Sequence, residues 1–495
     1  MGATDKRPDG VDTRPADQYD LESYRQAAAN LEEMRVPVLL HTGNPYERLY
    51  IAALDGTGNS KLDDKPKEWS AVARVYEQIQ RTRPHNIASG YVEGTYTQQG
   101  ILRTPERLLD GRYGNTFVDR VETAYFQLCE QARNWIDEEP NSRIRVAGIG
   151  YSRGAEEVAA LERMIEERGI RDPIGAEITR DRGNENLITR IQYAPKPLLV
   201  APGKTLQAAL LFDPVATGVE EHDRRLPPST LSTFQISAKD EKRNLFKSDD
   251  IIPAGFSEGA RNLNAELAGS HGNMGDTNVL NGLGTLNFNF GVEFLNRLSD
   301  RDYLEKRALP DDPSMYVIHR SEQGMLGLYG TSSFSNDGVR DHVDQLAPAR
   351  FCVDSQPVDC RRKESISEAL DVQVERRTGE GRPALPMPDI PAVRMQYQDS
   401  IIPKPPSPAA DSPAPSTWNP LFQQMTDAAL NGDAQGIEMA GRAYAQSIEG
   451  QAWLGQGQQL NVALARQAEQ EQQQAIQQVM AANEAQVQRG PAMRM

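Results

Sequence analysis

The stretch Arg143-Ile-Arg-Val-Ala-Gly-Ile-Gly150-Tyr151-Ser152-Arg153-Gly154-Ala155 fixes how the rest of the chain is read. An apolar run ends in Gly-x-Ser-x-Gly. A helical pattern begins at once, with Val158, Leu161 and Ile165 on one face and a glycine stop at Gly169. A serine between strand and helix, with glycine two places to either side, is the context of a nucleophile elbow. The turn is tight and strained, and side chains at positions 150 and 154 would clash. The helix N-terminus beneath the serine favours negative charge developing on a substrate oxygen. An ordinary Gly-Ser turn is the competing reading, and the flanking strand and helix weigh against it. Ser152 is the candidate nucleophile, and the backbone N–H of Arg153 is a candidate oxyanion donor.

Working outward, short apolar runs alternate with helical patterns from about Pro37 to about Leu298. The runs include Arg48–Leu54, Ile144–Ile149, Leu206–Phe212 and Thr233–Ala238. Such alternation predicts an α/β class, a mostly parallel sheet with helices on both faces. With a serine at a strand-to-helix turn, the expected architecture is the α/β-hydrolase fold with a C-terminal helical tail. At 495 residues the chain exceeds one compact core. The expected organisation starts with an N-terminal arm over 1–36, loose apart from one helix from Gln18 to Arg35. An α/β-hydrolase catalytic domain over 37–300 follows, then a cap or accessory region over 301–382. A Pro-rich linker over 383–420 leads to a helical, Gln-rich module over 421–495. That last module reads as a marginal surface helix or, more sharply, as a delivery or partner-docking piece. The segments 173–205 and 300–380 are candidate lid or membrane-contact regions.

A serine hydroxyl needs a base, and the base needs an orienting carboxylate. There are six histidines, His41, His85, His222, His271, His319 and His342. The usual order on this fold is Ser, acid, His, which removes His41 and His85. Asp213 follows the apolar Leu210-Leu211-Phe212, where a sheet presents catalytic groups. His271 stands in the glycine-rich Ala268-Gly-Ser-His271-Gly272-Asn-Met-Gly275, before a helix pattern over Leu286–Leu298. His222, His319 and His342 read more simply as structural or surface residues. The base is therefore assigned to His271 and the acid to Asp213, with Asp240 as the alternative acid. The second oxyanion donor is expected from Leu54-Asp55-Gly56-Thr57-Gly58-Asn59, at the amides of Gly56 and Thr57. Asp55, Asp63 and Asp64 match no calcium-loop spacing, so neither metal nor cofactor is expected.

The net charge of −16 argues against a nucleic-acid binder, which needs a basic face. It also argues against general attraction to anionic lipid, so lipid contact should be local and apolar. Three cysteines, Cys129, Cys352 and Cys360, are not a disulfide framework. Cys352 and Cys360 are close enough to pair, but free thiols are the favoured reading. The polar start Met1-Gly-Ala-Thr-Asp-Lys6 has no apolar signal core, and no segment approaches the ~18 apolar residues of a membrane span. The chain is expected to be made in the cytoplasm and to need a signal-peptide-independent machine to leave it.

Four blocks carry a family resemblance. These are Leu54-Asp55-Gly56-Thr57-Gly58-Asn59, Gly150-Tyr151-Ser152-Arg153-Gly154-Ala155, Phe212-Asp213-Pro214-Val215 and Ala238-Lys239-Asp240-Glu241-Lys242-Arg243-Asn244-Leu245-Phe246. Together they resemble the α/β-hydrolase lipases found as type VI secretion phospholipase effectors, over roughly residues 48–298. The chain departs from that family's pattern at Pro214, where threonine is usual, and in the loop around His271. The resemblance implies a Ser152–Asp213–His271 triad acting on phospholipid esters of a membrane, in a bacterial toxin effector. It also implies delivery by a contact-dependent secretion system, an immunity protein, and a secretion-system component as partners, the last through the C-terminal tail. The Pro-rich linker and Gln-rich end are similar in arrangement to delivery domains of type IV secretion toxins, without their diagnostic motifs. The alternatives are a hydrolase of soluble esters, thioesters or peptides, and an inactive hydrolase scaffold serving as a binding or delivery module.

Overall fold

Alternate residues of a strand face opposite ways, so a strand covered on both faces tends to be apolar along most of its length. In Glu47–Leu54, Leu49, Ile51 and Ala53 enter one apolar core while Tyr50, Ala52 and Leu54 enter another. Gln207–Phe212 divides in the same way, with Leu210 and Phe212 against Ala209 and Leu211. These two cores are the two faces of one sheet. The computed structural model describes residues 8–61, 65–94, 116–181, 187–243, 246–323, 340–343, 345–348, 351, 360 and 363–390. The chain divides into two units, Met1–Arg394 and Met395–Met495, and every described residue lies in the first. The Gln-rich module, most of the Pro-rich linker, Asp63, Asp64 and Cys352 lie outside the described residues.

In chain order the strands are β1 (Thr13–Pro15), β2 (Val36–Pro37), β3 (Glu47–Leu54), β4 (Ile87–Val92), β5 (Arg143–Tyr151), β6 (Glu177–Arg180) and β7 (Ile188–Gln192). They continue with β8 (Gln207–Phe212), β9 (Thr230–Ala238), β10 (Gly255–Ser257), β11 (Asn262–Leu267), β12 (Val317–His319) and β13 (Arg376–Arg377). The main sheet has the order β10-β11-β9-β8-β5-β3-β4. Every pairing in it is parallel except the edge pair of β10 and β11. Helices Phe117–Glu138 and Arg153–Arg168 cover one face. Helices Gln18–Glu33, Ala71–Thr82 and Gly282–Arg297 cover the other. This is the α/β-hydrolase architecture expected from the alternation of runs.

Register fixes what the sheet presents. Leu54 pairs with Gly150, Tyr151 with Phe212, and Phe212 with Ile236. The residues that follow β3, β5 and β8 are Asp55, Ser152 and Asp213, so they leave the sheet side by side. Ligand sites of open parallel sheets lie at this carboxyl edge.

The segment read as a loose arm is packed. Its helix, Gln18–Glu33, is closed at the N-terminus by a capping box of Asp17 and Asp20, and it buries Leu21, Tyr24, Ala27 and Leu31. It ends at Glu33 rather than Arg35, because Val36 and Pro37 are already extended in β2. β1 pairs with β12 and β2 with β13, so the N-terminal segment and the region after residue 300 hold one another. Within 173–205, β6 and β7 form an antiparallel, largely exposed hairpin. Cys129 is free and buried, whereas Cys360 is disulfide-bonded, which corrects the free-thiol reading at that position.

Candidate active site

β5 ends at Tyr151 and the helix Arg153–Arg168 starts two residues later, which leaves Ser152 alone to make the turn. It does so at φ 58°, ψ −126°. A residue with a Cβ rarely adopts a positive φ, and the strain is of the order of 1–3 kcal/mol. The turn is held by a hydrogen bond from Ser152 N–H to the Phe212 carbonyl at 2.9 Å. A Cβ on Gly150 would stand 2.3 Å from the Gly154 carbonyl oxygen, and one on Gly154 would stand 2.2 Å from that of Leu54. The two glycines are therefore required by contact, as the motif implies.

Asp213 follows β8, also at positive φ (44°), and is fully buried. Its Oδ2 lies 2.5 Å from His271 Nδ1. Its Oδ1 accepts from the Ala238 N–H at 2.8 Å and from Arg340 Nη1 at 2.5 Å. Burial opposes its ionisation, but Arg340 and His271 outweigh that and hold Asp213 well below the usual carboxylate range.

His271 opens a short helix, His271–Met274, capped reciprocally by Ser270 and Asn273. Its own N–H donates to Glu241 Oε2 at 3.1 Å. The ring is stacked by Tyr151 at 4.7 Å between centroids and met edge-on by Phe246 at 4.9 Å. Burial lowers its pKa below the ordinary 6.5 despite the opposing pull of Asp213, so the imidazole stays neutral at neutral pH. With Nδ1 committed to Asp213, Nε2 is the nitrogen left for proton transfer. The ring rests on the neighbour of Ser152, which brings imidazole and elbow together.

The loop after β3 is organised by Asp55, a buried carboxylate that accepts from Ser70 Oγ at 2.8 Å and from the Tyr91 hydroxyl at 2.7 Å. The Gly56 N–H donates to Asp55 Oδ1 at 2.8 Å. That corrects the assignment of Gly56 as an oxyanion donor, since its proton is turned to the carboxylate beside it. Thr57 is tied to the elbow instead, its Oγ1 accepting from Arg153 Nε at 2.8 Å.

Asp240 stands apart from the imidazole. It accepts from the Gly269 N–H at 2.7 Å, and its other oxygen lies 3.3 Å from Arg14. It braces the loop that leads to His271. Of the remaining histidines, His85 is exposed and four have other attachments. His41 meets Glu47, His319 meets Asp9, His342 meets Asp250, and His222 stacks on Phe117. Among the described residues no cluster of His, Cys, Asp and Glu is arranged to hold a metal ion.

Sequence reasoning missed Tyr151, Glu241, Phe246 and Arg340. The first three stand inside motif blocks already noted, so a question about what packs on His271 would have found them. Arg340 lies 127 positions from Asp213 in an irregular segment, and nothing local marks it.

Residues 48–185 match the family model described as T6SS, phospholipase effector Tle1-like, catalytic domain. This stretch is similar to Tle1-like catalytic domains. The resemblance read from the motifs is borne out over the loop after β3 and the elbow. The match ends before Asp213 and His271, so their pairing rests on the geometry above. Among solved structures, a Tle1 effector bound to the VgrG spike from the type 6 secretion system is 17% identical, with a TM-score of 0.28. The likeness covers 46% of this chain and 50% of that one, so the chain spans about half the length of the Tle1 chain it matches. An acetyl xylan esterase is 12% identical, over 45% of this chain and 82% of that one, with a TM-score of 0.18. Comparison with curated proteins finds no match.

Proposed function

We propose that the protein is a serine lipase that hydrolyses phospholipid esters, acting as a toxin effector delivered by a contact-dependent secretion system. The observation that carries the enzyme reading is the 2.5 Å contact between Asp213 Oδ2 and His271 Nδ1, on a ring that rests against the nucleophile elbow. The Tle1-like match over 48–185 supports a phospholipid as the class of substrate.

In this reading His271 Nε2 takes the proton of Ser152 Oγ as the oxygen attacks the ester carbonyl. The new C–O bond pushes the carbonyl electrons onto oxygen, where the amides of Arg153 and Thr57 receive the charge. Asp213 fixes the tautomer and supports the imidazolium. Collapse expels the lipid alkoxide, which takes the proton from His271 and leaves as the lysolipid alcohol. Water, deprotonated by the same nitrogen, then releases the fatty acid and restores Ser152. No cofactor enters any step.

The Tle1 effector of the solved complex is bound to a VgrG spike. We extend to this chain a secretion-system component as partner, and an immunity protein that restrains it. Among the described residues no helix is long and apolar enough to cross a membrane. The test is fatty-acid release from phospholipid vesicles by the wild type and by Ser152→Ala. Release by the wild type alone supports the reading. Cleavage of short soluble esters without vesicle hydrolysis sinks the substrate assignment, and inactivity on both sinks the enzyme.

A further inference from the structure

The acid of the site has a partner that the proposed mechanism does not use. Arg340 is 5% exposed and comes from the segment after residue 300, outside the sheet. It donates from Nη1 to Asp213 Oδ1 at 2.5 Å and to the Ala238 carbonyl at 3.1 Å. Its Nε and Nη2 donate to the Phe246 carbonyl at 2.9 and 2.7 Å. Ala238 returns a hydrogen bond to Asp213, so acid, strand end and guanidinium form a closed ring. Phe246, held by its carbonyl, is the residue whose ring meets His271 edge-on. One side chain thus fixes both the carboxylate that orients the imidazole and an aromatic wall beside it.

Arg340 is itself anchored. The Ser248 N–H donates to the Asp341 carbonyl at 2.9 Å, the Val343 N–H donates to the Ser248 carbonyl at 2.8 Å, and His342 meets Asp250 at 2.9 Å. The guanidinium is delivered to the end of the sheet by a short strap bonded to the loop after β9.

The charge around His271 comes from several elements. Asp213 follows β8. Glu241 and Arg243 follow β9 and pair with one another at 2.9 Å, with the Arg243 guanidinium over the Phe246 ring. Arg340 comes from the strap, and the neutral Tyr151 stacks from β5. Farther out stand the His342–Asp250 pair, and Asp240 with Arg14. His271 therefore meets two carboxylates, Asp213 at its ring and Glu241 at its N–H, each with its own guanidinium, Arg340 on the first and Arg243 on the second. A cation on the acid weakens the pull of the carboxylate toward imidazolium, and imidazolium cannot accept the serine proton.

We propose that Arg340 is a positioning residue for the Ser152 reaction, holding Asp213 with one oxygen toward His271 and balancing its charge so that the resting imidazole is a free base. This rests on the serine-hydrolase reading. It predicts a particular pH behaviour. Removing the cation leaves Asp213 unbalanced, raises the pKa of His271, and moves the acid limb of kcat/KM to higher pH.

The experiment measures kcat/KM of the full chain for a short-chain p-nitrophenyl ester between about pH 5 and about pH 9. It compares the wild type with Arg340→Met and Arg340→Lys, each checked for a cooperative melt. The expected result is an acid limb raised by about one unit in Arg340→Met and close to wild type in Arg340→Lys. Arg340→Gln keeps a donor without the charge and reads the same shift if the methionine variant does not fold. A folded Arg340→Met or Arg340→Gln with an unmoved acid limb overturns the proposal. So does a lysine variant that shifts as far as the uncharged ones. Labelling of Ser152 in the wild type by a fluorophosphonate separates the failures. Labelling and cleavage with an unmoved limb defeat only the role of Arg340, whereas neither labelling nor cleavage defeats the serine-hydrolase reading itself.

Discussion

Tyr151 lies on the imidazole of His271, with ring centroids 4.7 Å apart and planes inclined by 27°, and its hydroxyl donates to the His271 carbonyl at 3.2 Å. The strand that leads into Ser152 thus also supplies the surface on which the His271 imidazole rests. Stacking supplies most of this contact, and the hydroxyl adds one ordinary hydrogen bond. Tyr151→Phe should keep kcat within about threefold of wild type. Tyr151→Ala should lower it by about a hundredfold, because a displaced base is poorly aligned for proton transfer. Steady-state kinetics on a soluble ester, with melting curves alongside, decide the matter. A folded alanine variant with wild-type kcat would remove Tyr151 from the account.

Two aspartates were candidates for the acid, and they now have different surroundings. Asp213 is buried against His271, while Asp240 is a quarter exposed and bonded to Gly269. Asp213→Asn should cost about four orders of magnitude in kcat, since the amide disturbs the tautomer that leaves Nε2 free. Asp240→Asn should cost about tenfold or less, through the looser Gly269 loop. The reverse order of losses would return the acid role to Asp240.

Glu162, on the elbow helix, is buried and accepts from Thr230 Oγ1 at 2.5 Å. Burial pushes its carboxyl up to about 8, against the opposing pull of Thr230. A folded-state pKa above the unfolded value gives stability that is complete below the unfolded pKa of about 4.3 and lost as pH rises toward 8. Over that window the wild type should lose thermal stability relative to Glu162→Gln, which cannot ionise. Parallel melting curves of the two proteins across the window would contradict this.

The legible parts of the molecule were those governed by local rules. The elbow could be read because two glycines, a strand and a helix all bear on one serine. The strands β3, β5 and β8 could be read because burial on both faces favours near-continuous apolar runs, whereas β9 also buries Ser232, Thr233, Gln235 and Ser237. Asp213 followed from its place at the end of such a run. The short helix that begins at His271 was hidden by its glycines, which suggest a loop until the Ser270–Asn273 cap is seen. The engagement of Gly56 with Asp55 was invisible, because composition does not say where an amide points. Arg340 gave no signal at all. Its role exists only where a distant irregular segment crosses the end of the sheet, and no periodicity encodes that crossing.

Ser152 and Asp213 both sit at positive φ, one strand apart at the same edge of the sheet. Glycine would occupy either position with less backbone strain. At Asp213 that strain is offset by the bonds of its carboxylate to Ala238, His271 and Arg340, so the opposition between backbone and side chain is sharpest at Ser152. Under selection for thermal survival alone, the lineage would drift toward glycine at 152, while Asp213 would stay, because its loss would leave the Arg340 guanidinium buried without its carboxylate. A serine standing at 152 points to selection for something other than stability.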